Sequence, residues 1–463
     1  MQLQFTTIAF ILCLFILFHI VPGKARGYIL LAGSILFIFN VGGLASLIAL
    51  VAITLITYIS GLLLAKRKSS TGYTINIAAL AIVLFGWKYA PGVAAPIGLS
   101  FYTFQAISYI ADIHSGKIRP IRNPGKFALY MMWFPKWISG PIERAEDFMD
   151  QIEHSEKTKL FDIDRFARAT VYLVWGMFMK LVIADRVAIV VDSVYGSIEG
   201  SGFLTVMLSS LLYTLQIYCD FAGYTNCMIG ISTLFGIELT QNFKTPYLSQ
   251  NPVEFWRRWH ISLSSFFRDY IYIPLGGNRK GNARKLINVM IVFIVCGMWH
   301  GAGFTFLFWG LLHGIFNIAA NLVKNTKAAF IFKGLVGKIV TFNLVSFAWI
   351  FFRADSMAQA LAIIKGMIPG VNALSPTAGM VFEESFMLGI SGMEWIVLII
   401  STLFLGLMDN ISAKKDTIPP EVILESKSYI MRDAFIVASL LVVLVFGYYG
   451  SGEAIREFVY MQF

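Results

Sequence analysis

The chain has 463 residues, 57% hydrophobic and 14% charged, with a formal net charge of +10. This balance lies outside that of soluble domains, and apolar runs close to the roughly 20 residues that cross a bilayer recur from Phe5 to Tyr449, which excludes a sizeable soluble domain. The basic residues fall in short loops between those runs, as the positive-inside rule predicts, so the charge does not point to nucleic acid.

The first run, 5–21, has no Lys or Arg before it, and no small-residue cleavage pattern surrounds Val21-Pro22-Gly23, so it is expected as a retained span and not a signal peptide. Loop charge then sets the orientation, because each crossing changes sides and strongly basic loops belong in the cytoplasm. Starting outside, 5–21 ends at Lys24 and Arg26, the short run 28–41 returns to Gly42-Gly43, and 44–64 descends to Lys66-Arg67-Lys68. Run 74–90 rises to the uncharged PGVAAP, and 97–112 descends to the basic HSGKIRPIRNPGK. Residues 127–142 are interrupted by Pro135 and end at Gly140-Pro141, which predicts a re-entrant or interfacial segment.

Run 169–190 leads to an acidic loop at 192–199, and 204–236 follows with Asp220 in its middle. Two crossings in 204–236 would put the basic stretch 257–285 outside, so one crossing is expected, unwound near Asp220. Runs 286–299, 303–322, 339–352, 393–408 and 433–449 complete the set. The expected architecture is an all-α polytopic membrane protein, one domain over 1–463, with 11 or 12 crossings and both termini outside. Within it, 1–96 reads as peripheral helices, 97–355 as the core and 356–463 as C-terminal helices. The outer loop 369–392 is the expected docking surface for an extracytoplasmic partner. Cys13, Cys219, Cys227 and Cys296 lie in apolar runs without CxxC spacing and read as buried small hydrophobes, so no metal site is expected.

Three of the six histidines carry the chemical argument. His300 follows run 286–299 and is followed by Gly301 and Gly303, which let backbone or ligand approach closely. Counted from Lys285 it lies roughly 20 Å along the helix, past the middle of a bilayer about 30 Å thick. An ionisable group at that depth is a functional candidate, and a neutral imidazole there is the form a general base needs. His313 lies between Gly310 and Gly314, a small-xxx-small packing face, and reads mainly as a packing residue. His19, His114 and His154 read as structural or solvated.

The third histidine lies in NPVEFWRRWHISLSSFFRDYIYIPLGGNRKG, residues 251–281. Asn251 as cap, Pro252 at the first position and Glu254 three residues on predict a helix start. Phe255, Trp259, Leu263, Phe266 and Tyr270 share one face, opposite Arg257, Arg258, Ser265, Arg268 and Asp269, so one amphipathic helix is expected. His260 stands at the border of the two faces, and the glycine-rich loop 276–281 could hold phosphate.

FPKWISGPIER, DFAGYTNCMIGISTLFGI, WRRWHISLSSFFRDYIYIPLGGNR and GMWHGAGFTFLFWGLLHG together resemble the membrane-bound O-acyltransferase family, in its bacterial polysaccharide O-acetylation branch. The resemblance runs from about Ser100 to His313. It implies a helical bundle around a central tunnel, acetyl-CoA or a related thioester as donor from the cytoplasmic side, and a bacterial inner-membrane location. It places the catalytic histidine on His300 and the second motif histidine on His260, with Asp220, Arg258, Trp299 and His313 as candidates along the tunnel. It also implies a separate extracytoplasmic serine-esterase-type acetyltransferase of the SGNH or GDSL kind, since this chain has no Gly-Asp-Ser or Asp-x-x-His motif of its own. No bound cofactor is expected. Two other readings stand beside it: a D-alanyl transferase for teichoic acid within the same family, and a transporter built around a broken helix at Asp220.

Overall fold

Leucine and isoleucine that a water-soluble protein would bury stand outward here. Leu36, Leu44, Ile48, Leu55 and Ile59 on one helix, and Ile399, Ile400, Leu403 and Leu407 on another, are each more than half exposed. Such faces are stable only against lipid. The computed structural model describes residues 5–90, 92, 94–198, 201–369, 388–425 and 429–449. These form helices joined by turns, with one isolated bridge and no strand among the described residues. Seven helices among them are long and apolar enough to cross a membrane. The 11 or 12 expected crossings also counted shorter runs.

Helix α1 (Phe5–Ile20) is followed by the 45-residue α2 (Gly23–Arg67). Runs 28–41 and 44–64 both fall in α2, and the break expected at Gly42-Gly43 is a kink, with Gly43 at φ 71°. A left-handed backbone there costs glycine little. Helix α3 (Ser70–Tyr89) is capped by Ser69, whose hydroxyl accepts from the Gly72 amide at 3.0 Å, and α4 (Leu99–His114) follows. The Pro135-interrupted segment forms α5 (Pro124–Met132) and the single turn α6 (Phe134–Trp137), both enclosed by protein. Lys136 in that turn donates to Gln105 Oε1 at 2.8 Å and lies 4.3 Å and 4.5 Å from the ring centres of Tyr130 and Phe148.

After α7 (Ala145–Ser155), α8 (Ile163–Met177) passes through a π-helical segment, Phe178–Ala184, into α9 (Asp185–Tyr195). Helix α10 (Phe203–Leu234) packs on all three of these segments. It is continuous through Asp220, which corrects the expected unwinding. The buried Asp220 carboxylate is compensated from the neighbouring helix: Lys180 Nζ lies 2.5 Å from Asp220 and 2.8 Å from Asp185. The backbone irregularity therefore sits in the partner helix, where the π-helical segment carries Lys180. This also removes the broken helix on which the transporter reading rested.

After α10 come α11 (Pro252–Arg258), α12 (Ile261–Phe267), α13 (Gly281–His300), α14 (Phe304–Val323) and α15 (Gly334–Arg353). Helices α16 (Met357–Gly366), α17 (Gly392–Lys414), α18 (Pro419–Leu424) and α19 (Tyr429–Phe446) close the chain. The expected docking loop 369–392 falls mostly on 370–387, outside the described residues. Cys219, Cys227 and Cys296 are buried as expected. Cys13 is exposed, because it lies on the outward face of α1.

Candidate active site

Close approach of α13 and α14 encloses His300. A Cβ on Gly297 would lie 2.5 Å from the Phe306 carbonyl oxygen, one on Gly301 would enter the Phe306 ring, and one on Gly310 would strike the Phe293 carbonyl. Gly314 in turn receives the Met290 sulfur, so the small-residue face expected at Gly310 and Gly314 is the contact between the two helices. Helix α13 ends on His300 itself, and Gly301, in extended backbone, turns the chain into α14. The His300 ring is 3% exposed and lies 4.6 Å from Trp299, 4.9 Å from Trp309 and 5.1 Å from Phe352, centre to centre.

His260 reaches the same region by another route. Helix α11 starts as expected, with Asn251 Oδ1 accepting from the Glu254 amide at 2.9 Å and Pro252 in the first turn. The single amphipathic helix expected through Tyr270 is corrected, because α11 stops at Arg258 and α12 restarts at Ile261. The cause is non-local. Phe243 bridges to Trp259, the Lys244 amide donates to the Arg258 carbonyl at 2.9 Å, and the Ile261 amide donates to the Asn242 carbonyl at 3.0 Å. Asn242 Oδ1 also accepts from the Ser262 amide and hydroxyl at 3.2 Å and 2.7 Å, capping α12. His260 between them takes φ 44° and ψ 57°, a left-handed conformation that costs a non-glycine residue and recurs at functional positions. Its ring is 1% exposed, and that burial pushes the imidazole down to about 3.

Trp299 joins the two histidines, its ring 4.6 Å from His300 and 6.4 Å from His260. Phe101 and Phe104 of α4 pack on it at 5.7 Å and 5.3 Å. The Lys88 ammonium of α3 stands 5.7 Å from its ring centre, and the Tyr89 hydroxyl donates to the Met298 carbonyl at 3.0 Å, tying α3 to the end of α13. Lys88, Phe101, Phe104, Trp309 and Phe352 were not among the sequence candidates. For Lys88 a signal existed, since it is the one charge in run 74–90.

The remaining candidates each have protein partners. His313 Nδ1 accepts from Trp256 Nε1 at 3.2 Å, and its ring packs 4.9 Å from Trp309, so it braces the ring that covers His300. Asp220 belongs to the Lys180 ion-pair cluster, one residue before Phe221, whose ring lies 4.8 Å from His260. Arg258 is held by Glu254 at 2.7 Å and donates to the Thr245 hydroxyl at 3.0 Å. In the loop 276–281, Asn288 donates to the carbonyls of Leu275 and Gly277, pinning it to α13.

A cavity of about 320 Å³ opens beside Ile261, lined also by Arg168, Tyr172, Gln241, Lys244 and Glu421. It shares Arg168, Thr233 and Glu238 with a second cavity of about 510 Å³. A narrower one shares Gln241 and Ile418 with the first and reaches Tyr218 and Phe243. Phe221 and Phe243, 5.0 Å apart, stand between it and His260. Side chains at this wall and around His300 must move for any reactant to meet the imidazoles.

Comparison with known proteins bears on the same residues. The chain is 38% identical to the probable alginate O-acetylase AlgI of Pseudomonas aeruginosa over 272 residues, 59% of this chain and 51% of that protein. It is 36% identical to the peptidoglycan O-acetyltransferase of Helicobacter pylori over 306 residues, 60% and 58% of the two chains. With the teichoic acid D-alanyltransferase of Bacillus subtilis it shares 26% identity over 346 residues, 69% and 87% of the two. The chain thus spans about half the length of the alginate relatives it matches. The model of MBOAT, the membrane-bound O-acyltransferase family, matches residues 117–354, a stretch that holds His260, Trp299, His300 and His313. The resemblance drawn from the four motifs therefore holds, and the chain belongs to the membrane-bound O-acyltransferase family.

Proposed function

We propose that this protein is a membrane O-acetyltransferase that takes an acetyl group from a cytoplasmic thioester, acetyl-CoA in the first instance, for O-acetylation of an exported or cell-wall polysaccharide in the bacterial inner membrane. The observation that carries this reading is the convergence of His300 and His260 on Trp299 in a buried aromatic chamber. Water excluded from such a chamber cannot hydrolyse a thioester, and an imidazole held there serves as a base. In the proposed step the His300 imidazole accepts the proton of an acceptor hydroxyl as its oxygen bonds to the thioester carbonyl carbon. The carbon–sulfur bond then breaks, and the proton returns to the departing thiolate. His260 orients a reactant beside Trp299. A separate extracytoplasmic esterase-type enzyme completes transfer to the polymer.

The test is acetyl transfer from labelled acetyl-CoA by membranes carrying the wild type, His300→Ala or His300→Gln, with folding verified by size exclusion. Loss of transfer in both folded variants is the expected result. Retention of wild-type transfer would remove His300 from the chemistry. The D-alanyl reading is favoured by one observation, the 87% coverage of the B. subtilis enzyme. Labelled D-alanine, offered beside labelled acetate, decides which acyl group reaches the cell envelope.

A further inference from the structure

Helices α17 and α19 lean on a common support with a gap between them. Helix α19 packs along α8 and the π-helical segment, while α17 packs on that segment and on α9. The two meet at Phe404 and Phe435, whose ring centres are 6.4 Å apart. Around this contact lies a cavity of about 300 Å³, floored by Val174, Trp175 and Phe178 and walled by Phe404 on the α17 side and by Ile436 and Val442 on the α19 side. Ser401 and Ser439 supply the only hydroxyls among the described residues that line it. From the level of Phe435 to that of Val442 the groove is about 10 Å long at the helical rise per residue, a third of a hydrocarbon core of roughly 30 Å.

Neither water nor vacuum suits this space. A water needs two to four polar partners, which two hydroxyls cannot give to a volume many times that of one water. Left empty, the lining would forfeit its dispersion contacts, and interiors rarely keep voids much larger than a water. Both lips of the groove face hydrocarbon. Leu403 and Leu407 of α17, and Val437, Leu441 and Leu444 of α19, are each more than half exposed.

One end of the groove carries a cation. Helices α8 and α19 run parallel here, joined near their starts by Arg432 and Asp164 at 3.6 Å and near their ends by the Tyr448 amide, which donates to the Leu181 carbonyl at 2.8 Å. Arg432 therefore lies one turn before Phe435, level with the start of α8 at the mouth of the groove. Its side chain is 7% exposed, held against the protein, while its carboxylate neighbours Asp164 and Asp433 are 86% and 62% exposed. Pairs with partners so open to water are weak, so a phosphate can compete for the guanidinium. Ile163 and Ile430 stand exposed beside these charges, a mixture that suits the polar boundary of a bilayer.

We propose that this groove binds one phospholipid of the surrounding bilayer, with a stretch of one acyl chain between α17 and α19 and the phosphate at Arg432. The acyl chain lies on Trp175 and Phe178. Phe178 opens the π-helical segment that carries Lys180, so the bound lipid supports the segment that neutralises Asp220. The site is separate from the His300 chamber and does not depend on which acyl group the protein transfers.

The test is thermal melting of the full chain in lipid-free detergent, alone, with dioleoyl phosphatidylglycerol, and with dioleoylglycerol, which has the same chains and no phosphate. For the wild type the phospholipid should raise Tm by about 3–5 °C at a hundredfold excess over its dissociation constant, and dioleoylglycerol by less. Ser439→Leu and Ser401→Leu fill the groove from opposite walls. Each should melt no lower than the wild type without lipid and lose most of the response to it. Arg432→Gln should reduce the phospholipid response to that of dioleoylglycerol. A variant that is merely damaged would melt lower and still respond, so baseline and response together separate the two roles. Equal phospholipid responses in the wild type and both filled variants would mean that lipid acts around the whole belt, and would overturn the proposal. So would a wild type that does not respond, which would leave the groove to another part of the chain or to a second copy, and so would an Arg432→Gln protein that still prefers the phospholipid.

Discussion

The ammonium of Lys88 stands over the ring of Trp299, 5.7 Å from its centre, on the residue that also touches both His260 and His300. In the proposed acetyl transfer, a cation beside this buried aromatic cluster would support negative charge as it develops on the thioester carbonyl oxygen. Lys88→Met keeps the length and removes the charge. It is expected to lower kcat for acetyl transfer about 10- to 100-fold, with a smaller change in KM. Initial rates over a range of donor concentration check this, and an unchanged kcat would reduce Lys88 to an anchor for α3.

His260 combines a left-handed backbone with a ring that burial pushes down to about 3. The unfolded chain takes up a proton near the ordinary value of 6.5 that the folded protein refuses, so the unfolded state binds more protons between these values. Stability attributable to His260 therefore falls as pH drops from about 6.5 toward about 3 and is level above that window. At pH 4 the loss is of the order of a few kcal/mol. His260→Asn tolerates the left-handed backbone and has no such proton. Melting of the purified protein between pH 7 and pH 4 should fall less steeply in the variant, while acetyl transfer at pH 7 falls. Equal slopes would show that the imidazole becomes charged without cost.

Sequence reading reached the features set by local chemistry and missed those set at a distance. The Asn251-Pro252 helix start, the interruption at Pro135 and the Gly310–Gly314 packing face depend on neighbours within a turn, and all are present. The break at Trp259-His260 depends on residues 242–244, about 17 positions away, whose backbone hydrogen bonds outcompete a helical pattern that is continuous in the sequence. Asp220 is legible as a membrane-depth charge, but its partner Lys180 lies 40 residues earlier, and the unwinding expected from the length of 204–236 and the alternation of loop charge does not occur because helix α10 runs on unbroken.

That compensation makes an ordered prediction. Lys180 serves two carboxylates, Asp220 and Asp185, so Asp220→Asn leaves a one-to-one pair and should cost about 1 kcal/mol. Lys180→Met leaves two buried carboxylates without their cation and should cost about 3–5 kcal/mol, enough to abolish accumulation in the membrane. Combining Lys180→Met with neutral residues at 185 and 220 should recover part of the loss. Thermal melting in detergent ranks the variants, and a more damaging Asp220→Asn would mean that the carboxylate, not the cation, is the indispensable member.

Gly310 links membrane packing to chemistry because its neighbour Trp309 covers His300 at 4.9 Å. A Cβ there meets the Phe293 carbonyl of α13, a backbone atom that cannot rotate away, so α14 must move outward. Gly310→Ala is expected to cost about 1–3 kcal/mol, and Gly310→Val more. Displacing α14 also shifts the Trp309 ring that His313 braces from the other side, so transfer activity should fall by more than the loss of folded protein accounts for. His313→Phe conserves the ring and loses only the Trp256 hydrogen bond, and it should leave α14 in place with activity near wild type. Specific activity normalised to folded protein separates the cases. If Gly310→Ala keeps full specific activity, then His300 does not depend on the α13–α14 contact, and the chamber wall tolerates a gap of about an ångström without consequence.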